Sequence, residues 1–408
     1  MSEAAPGAIE ARPAGKVSLG FMLLLVGLTA LAPFSLQIFL PALPVIQAEF
    51  RVTPGTAQLV LSLSLLASAF AMLAYGPLSD RFGRRPVLLA GLIAFVAGSV
   101  VCVLAPTIAT LIGGRVVQAI GAAAGMVLAR AIVRDLHDRE RSASVIAYLT
   151  MAMVVAPMLA PTVGAVLIDL ASWRTIFGLT AVVGLAVTWQ TSRQLVETRA
   201  GGAAASGPLR MWAGAGRLLR TPAFVAYALQ STFAIAVFFA FISGAPYFML
   251  DVLHRPATEY GLYFILVSAG FMAGNLLAAR VTARVGLDRM ILIGSALALA
   301  ATLLALALLA GWRWAPIALF GPMLAAAFAN GLTVPNAQAG AISVEPALAG
   351  TASGLAGFLQ MFTAALVSQA VGALQNGTPY PMVGFMTACA LLSLLSFVLP
   401  WRRAAARV

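Results

Sequence analysis

Long apolar runs alternate with short polar segments along the whole chain, and most of the polar segments contain arginine. A helix needs about 20 consecutive apolar residues to cross the hydrocarbon core of a bilayer. Runs of that kind predict twelve membrane-spanning helices, and an even number places both termini on one side of the membrane. The predicted spans are 17–41, 55–76, 86–104, 107–131, 142–168, 173–190, 222–250, 259–281, 289–309, 314–341, 349–374 and 380–400.

The longest polar segment divides the predicted spans into two sets of six, and the two sets share a short sequence. Arg81-Phe82-Gly83 recurs in the second half of the chain as Arg284-Val285-Gly286. Paired six-helix repeats form bundles that alternate access to a central site. The predicted fold class is therefore all-α integral membrane, with 12 transmembrane helices in two pseudo-symmetric six-helix halves. The predicted segments are a tail 1–16, an N-terminal half 17–192, a linker 193–221, a C-terminal half 222–400 and a tail 401–408.

The composition excludes a soluble domain, since 61% of the residues are hydrophobic and only 9% are charged. Soluble domains have about 25% charged residues. The formal net charge of +12 does not indicate a nucleic-acid partner, because the basic residues lie in turns between apolar runs rather than in one patch. Of the 25 basic residues, 20 fall on one side of the predicted topology. Basic loops favour the cytoplasmic side, so both tails and the linker are predicted to be cytoplasmic.

The turn between the second and third spans carries the most specific motif. It reads Gly-x-Leu-x-Asp-Arg-x-Gly-Arg-Arg over residues 76–85 and resembles the signature loop of the major facilitator superfamily. The resemblance implies that Asp80 acts as a latch between the two halves, facing the start of the eleventh span near Thr351, and that the latch breaks when the halves rock. A loop that only sets the topology is the alternative. The residues assigned to gating here are Gly76, Asp80, Arg81, Gly83, Arg84, Arg85 and, at the end of the fourth span, Arg134.

The fourth and fifth spans contain two further motifs. Arg115, Gln118 and Gly121 resemble the fourth-span motif of proton-coupled facilitators, and an ionised residue at that depth normally faces a bundle interior or an aqueous cavity. The run 156–164 resembles the antiporter motif of drug-exporting facilitators, and Pro157, Pro161 and Gly164 are assigned to conformational change on that basis.

The first span resembles the Bcr/CflA drug-resistance group through Leu40-Pro41-Ala42-Leu43-Pro44. Many members of that group have an acid three residues before this Leu-Pro pair, where this chain has Gln37. Glutamine does not titrate, and no Asp or Glu lies in the middle of any predicted span. Proton coupling would therefore have to use Asp80, Asp135 or Asp169, or substrate charge, or be absent.

Polar and aromatic residues within the spans predict the lining of a substrate cavity, because pockets for amphiphilic ligands are mostly apolar with a few polar groups. Helix packing is the alternative reading for each of them. The candidates are Phe34, Gln37, Arg115, Gln118, Tyr227, Phe241, Asn330 and Gln360.

These observations favour a secondary transporter that exports small amphiphilic drug-like compounds across the bacterial inner membrane, with the proton gradient as its energy source. A facilitator or importer of a small solute is the alternative. An enzyme is not expected, since the only two histidines, His137 and His254, lie in loops on opposite sides. We expect no cofactor, no metal and no nucleic-acid partner. The expected partners are a small-molecule substrate and the lipid bilayer, with the protein acting as a monomer.

Overall fold

The computed structural model describes residues 19–136, 145, 149, 158–198, 208–311 and 314–405, with the side chains of 208–213 and 399–405 excepted. The predicted tail 1–16, the first part of the fifth span with Pro157, and the final residues 406–408 lie outside the described residues.

The described residues form helices and no strands. The α-helices are α1 (Leu19–Gln37), α2 (Leu43–Phe50), α3 (Pro54–Phe82), α4 (Arg84–Val103), α5 (Ile108–Leu136), α6 (Met158–Leu170), α7 (Trp173–Gln194), α8 (Pro208–Leu219), α9 (Pro222–Tyr247), α10 (Ala257–Val285), α11 (Leu287–Gly311), α12 (Pro316–Ser343), α13 (Ala349–Ala373) and α14 (Tyr380–Ala405).

Eleven helical segments of the described chain are long and apolar enough to cross a membrane, and α6 adds a shorter apolar helix. The first of these segments runs from α1 through a short 3-10 turn into α2, over Leu19–Phe50. The remaining crossing segments follow the order of the predicted spans, and α8 lies in the predicted linker. The all-helical multi-pass architecture predicted from the sequence is confirmed.

The second span is longer than predicted, and the charged turn after it is shorter. The predicted end of this span at Gly76 is wrong, because α3 continues through Pro77 to Phe82 and includes Asp80. A proline in a helix removes one backbone hydrogen bond, but membrane helices tolerate it where neighbouring groups satisfy the backbone. The break between α3 and α4 is the single residue Gly83.

Gly83 and Gly286 mark equivalent breaks in the two halves of the chain. Gly83 has φ 94° and ψ 154° between α3 and α4, and Gly286 has φ 92° and ψ 145° between α10 and α11. This backbone conformation is essentially restricted to glycine. The shared dihedral angles support the internal repeat that the sequence indicated. The side of the bundle where both breaks lie, which carries Arg84 and Arg284, is called the basic face below.

Candidate functional site

A cavity of about 530 Å³ lies between the two halves of the bundle. Its walls come from α1, α3 and α5 of the first half and from α9, α10, α12 and α13 of the second half. The lining extends to Arg130, Ile342 and Ser353, which lie near the basic-face ends of α5, α12 and α13. The cavity therefore opens toward the basic face.

Hydrogen bonds between the halves close the opposite face. The Thr162 hydroxyl on α6 donates to the carbonyl of Gly261 on α10 at 2.8 Å. Nearby, the backbone N–H of Thr258 donates to the Asp169 carboxylate at 3.0 Å. A further contact at the same closed face joins α3 to α13, where the Ser62 hydroxyl donates to the Gln369 side chain at 2.7 Å. These contacts define a conformation closed on one side and open on the other.

Arg115 lies at the wall of the cavity and is only 2% exposed. Its Nη1 donates to the backbone carbonyl of Ser35 at 3.3 Å and to the side-chain oxygen of Gln118. The guanidinium lies 4.0 Å from the centre of the Phe39 ring, a cation–π contact. Its Nε has no hydrogen-bond partner among the described residues.

Gln118 supports Arg115 from behind. It follows Arg115 by one helical turn, so both side chains lie on the same face of α5. Its amide nitrogen donates to Ser99 at 2.7 Å and to Thr180 at 3.1 Å. These two bonds fix the orientation of the amide, so that its oxygen accepts from Arg115. Gln118 is fully buried and does not line the cavity.

Three other predicted residues do reach the cavity wall: Gln37, Asn330 and Gln360. The Gln37 oxygen and the Asn330 side-chain oxygen have no hydrogen-bond partner among the described residues. The Asn330 amide donates to the carbonyl of Ala234 at 3.0 Å, and the Gln360 amide donates to Ser231 at 3.2 Å. Both oxygens are buried as well as unpaired, so neither is exposed to the cavity in this conformation.

The structure does not bring Phe34, Tyr227 or Phe241 to the cavity wall. Phe34 packs on the main apolar core, and Phe241 is buried in that core against Phe264 and Phe320. Tyr227 lies in a separate crevice at the basic face, where its hydroxyl donates to Asp288 at 2.7 Å.

The sequence analysis gave Arg130, near the end of the fourth predicted span, no role in the cavity, whereas the structure places it on the cavity wall. The spacing between Arg130 and Arg115 in the sequence could have indicated this position. Fifteen residues after Arg115 is just over four turns of an α-helix, which returns a side chain to a similar face.

A charged cluster lies at the basic face where α3 meets α4. Arg84, with a side chain only 7% exposed, pairs with Asp80 at 2.7 Å and with Asp135 of α5 at 3.0 Å. The Glu197 carboxylate, which follows α7, accepts from the backbone N–H groups of Arg84 at 2.8 Å and Arg85 at 3.1 Å. A carboxylate at a helix N-terminus satisfies free N–H groups and interacts favourably with the helix dipole. The role of Glu197 was missed because nothing local in its sequence indicates a partner more than a hundred residues away.

The other residues assigned to gating are placed as follows. The Arg81 guanidinium stacks over Phe82 at 5.1 Å, and the Arg134 Nε donates to the carbonyl of Arg130 at 3.3 Å. A side chain added at Gly76 would meet nothing within 4 Å, so no close helix approach depends on that glycine. Pro161 and Gly164 lie on α6, and Gly164 packs directly on the backbone carbonyl of Ile38.

We expect Gly83→Ala to destabilise the protein more than Gly286→Ala. Both positions have the same positive φ, so both variants incur backbone strain of about 1–3 kcal/mol. At Gly83 the added Cβ would also lie 2.7 Å from the Glu197 carboxylate, whereas at Gly286 it meets nothing within 4 Å. Thermal unfolding of the two purified variants measures the difference. Equal unfolding temperatures would show that the Glu197 contact adds nothing.

A bundle of membrane-crossing helices with a central cavity lined by both halves, open on one face and closed on the other, is the architecture of a secondary transporter. The chain belongs to the Major Facilitator Superfamily, whose sequence profile matches residues 25–368. It is therefore a multi-pass transporter of a bacterial inner membrane and not an enzyme.

Named relatives span nearly the whole chain. The chain is 28% identical to the "Bicyclomycin resistance protein homolog" of Haemophilus influenzae, over 92% of this chain and 95% of that protein. It is 29% identical to the "Multidrug resistance protein MdtL" of Escherichia coli, over 95% and 97%. It is also 29% identical to the "Uncharacterized MFS-type transporter YdgK" of Bacillus subtilis, over 94% and 96%. The predicted resemblance to the superfamily and its drug-resistance group is confirmed.

Solved structures share the fold at low sequence identity. A bacterial homolog of the human lysosomal transporter Spinster superimposes with a TM-score of 0.72 at 16% identity, covering 95% of this chain and 98% of that one. A D-xylose-proton symporter superimposes with a TM-score of 0.71, also at 16% identity, covering 94% and 97%.

Proposed function

We propose that this protein exports small amphiphilic compounds from the cytoplasm by alternating access, in exchange for protons. The observation that carries the proposal is the central cavity, which is mostly apolar with a few polar groups and opens toward the basic face. By the positive-inside rule the basic face is cytoplasmic. A cavity open to that side is the loading state of an exporter. The resistance proteins among the relatives support the same direction of transport.

Gating is proposed to use the charged cluster at the basic face. In the cytoplasm-open conformation, Asp80 pairs with Arg84, which also holds Asp135. When the halves close on this face, Asp80 is proposed to face the N-terminus of α13 near Thr351. A carboxylate is favoured there by the helix dipole. The latch would thus stabilise the outward-open state and release in the inward-open one. A monomer is sufficient for this cycle.

A facilitator that needs no proton is the second candidate, and one observation favours it. The residues that line the cavity include no carboxylate among the part of the chain that the structure describes. Proton exchange would then depend on acids outside the cavity, such as Asp80, Asp135 or Asp169.

Transport into inverted membrane vesicles tests export and coupling together. Vesicles with and without the protein are given neutral, anionic and cationic radiolabelled antibiotics, with and without an acidic lumen. We expect at least one compound to accumulate in vesicles that contain the protein, and to accumulate faster with the acidic lumen, because protons leave as the compound enters. No accumulation of any compound would contradict export. Uptake that ignores the pH gradient would replace proton exchange with facilitation.

A further inference from the structure

The cavity carries positive charge and no negative charge among the described residues. Its lining includes the cations Arg115 and Arg130 and no Asp or Glu. The acids of the described chain interact elsewhere, as in the pairs of Asp80 with Arg84, Glu49 with Arg174, and Glu345 with Arg217. A cationic substrate would therefore meet like charge in this cavity and no carboxylate among the described residues that line it.

Arg115 has no counter-ion within the described protein. Its hydrogen bonds go to the neutral oxygens of Ser35 and Gln118, and its ring contacts are with Phe39 and Phe177. Buried charges in proteins are normally paired, because burial removes the hydration that stabilises them. The Nε of Arg115 has no hydrogen-bond partner at all among the described residues. The positive charge of Arg115 is thus left without a described counter-ion at the cavity wall.

The two cations are placed at opposite ends of the cavity. Arg115 lies toward the closed face and Arg130 toward the open one, about 22 Å apart along α5 at 1.5 Å per residue. Between them the helix lines the cavity with Met126 and with the small residues Ala119, Ala122 and Ala123. An anion entering from the basic face passes Arg130 before it reaches Arg115.

The wall from the second half of the protein is rich in aromatic residues along α9 and α10. Phe238 and Phe239 of α9 and Phe264 and Phe271 of α10 line the cavity. The cavity thus has its positive charges on α5 and its aromatic residues on α9 and α10. A ligand with one anionic group and an apolar ring system matches this arrangement, with its charge against α5 and its rings against α9 and α10.

We propose that the substrate of this cavity is an amphiphilic anion, whose carboxylate or sulfonate pairs with Arg115 at the closed end. This inference rests on the proposed function and narrows its substrate class. It also agrees with the absence of Asp and Glu among the described residues that line the cavity. The cytoplasm is electrically negative relative to the outside, so an anion that leaves moves down the membrane potential, which adds to the driving force of proton exchange.

The experiment measures equilibrium binding to the full-length protein in lipid nanodiscs, with empty nanodiscs as blank. Three fluorescent probes share the dansyl group and differ in charge: dansylglycine is anionic, dansylglycinamide is neutral and dansylcadaverine is cationic. The variants are Arg115→Gln, Arg115→Lys and, as a control for net charge, Arg280→Gln. Arg280 is an exposed residue of α10 that does not line the cavity.

We expect the wild type to bind dansylglycine at least about tenfold more tightly than dansylcadaverine, the size of one charge-assisted hydrogen bond. Arg115→Gln should remove this preference, Arg115→Lys should retain part of it, and Arg280→Gln should leave it intact. A purely structural role for Arg115 would alter the affinity for all three probes equally, without changing their order.

Two results would overturn the proposal and leave the proposed function standing. One is binding of dansylcadaverine as tight as that of dansylglycine in the wild type, which needs no variant to interpret. The other is a preference for dansylglycine that survives in Arg115→Gln. If that variant does not fold, an undiminished preference in Arg115→Lys would overturn the assignment to Arg115. If none of the three probes binds the wild type, the export of amphiphiles fails together with this inference.

Discussion

Asp80→Asn is expected to slow transport about five- to thirtyfold, the factor that corresponds to a shift of about 1–2 kcal/mol between the two conformations. The substitution preserves the shape of the side chain and removes its charge. In the conformation that is open at the basic face, it breaks the 2.7 Å pair with Arg84, whose side chain is 7% exposed. In the proposed outward-open conformation it removes the carboxylate from the N-terminus of α13. The larger effect is expected on the outward-open conformation, since Arg84 keeps Asp135 as a partner in the other.

The measurement is the initial rate of uptake into inverted vesicles, divided by the amount of protein in the membrane. Asp251→Asn is the matched control, because Asp251 is an exposed acid at the opposite face and takes no part in the cluster. It should transport at the wild-type rate. Unchanged transport by Asp80→Asn at normal membrane abundance would contradict the latch and leave this turn a determinant of topology only.

Gly164→Ala is expected to lower the stability of the protein by about 1–3 kcal/mol or more, as overpacking does in a closely packed interior. A Cβ at Gly164 would lie well inside contact distance of the backbone carbonyl of Ile38. The obstacle is backbone, which cannot rotate away as a flexible side chain could. To accept the methyl group, α6 has to move away from the segment that follows α1. Those elements belong to the closed face, where α6 also bonds α10 through Thr162.

Thermal unfolding in detergent measures this effect, with Gly113→Ala as the matched control. Gly113 lies within α5, and a Cβ there meets nothing within 4 Å. Alanine is a better helix former than glycine, so the control should be as stable as the wild type or slightly more stable. Equal unfolding temperatures for the two variants would mean that the α6 contact with Ile38 is not tight.

Local features of the sequence determined much of the fold. The number of spans follows from the lengths of the apolar runs, because each helix must be long enough to cross the bilayer whatever its neighbours are. Glycine is the residue that adopts the positive φ found at Gly83, where α3 and α4 separate. The repeated Arg-x-Gly sequence indicates the equivalent break at Gly286. The predicted second span stops at Gly76, just before Pro77, because proline breaks helices in water, whereas the packed bundle accommodates it and α3 continues.

The charged turn shows the limit of local motifs. Its residues were recognised from the sequence, and the pair of Asp80 with Arg84 spans only one helical turn. Asp135 and Glu197 complete the cluster from α5 and from the segment after α7. Such partners are specified by the approach of distant segments, which no local spacing reveals.

The sequence by itself determined that this chain crosses a bilayer many times, that it resembles the major facilitators, and that it buries Arg115 without an acid in the same span. Only the tertiary structure decided which polar residues meet in one cavity, that Arg130 joins Arg115 while Tyr227 and Phe241 do not, and which face of the bundle is open. The physical reason is that lipid is as apolar as the interior of the bundle, so hydrophobicity does not distinguish the outer from the inner face of a span. Helix rotation is set by packing against neighbouring helices, which exists only in the folded protein.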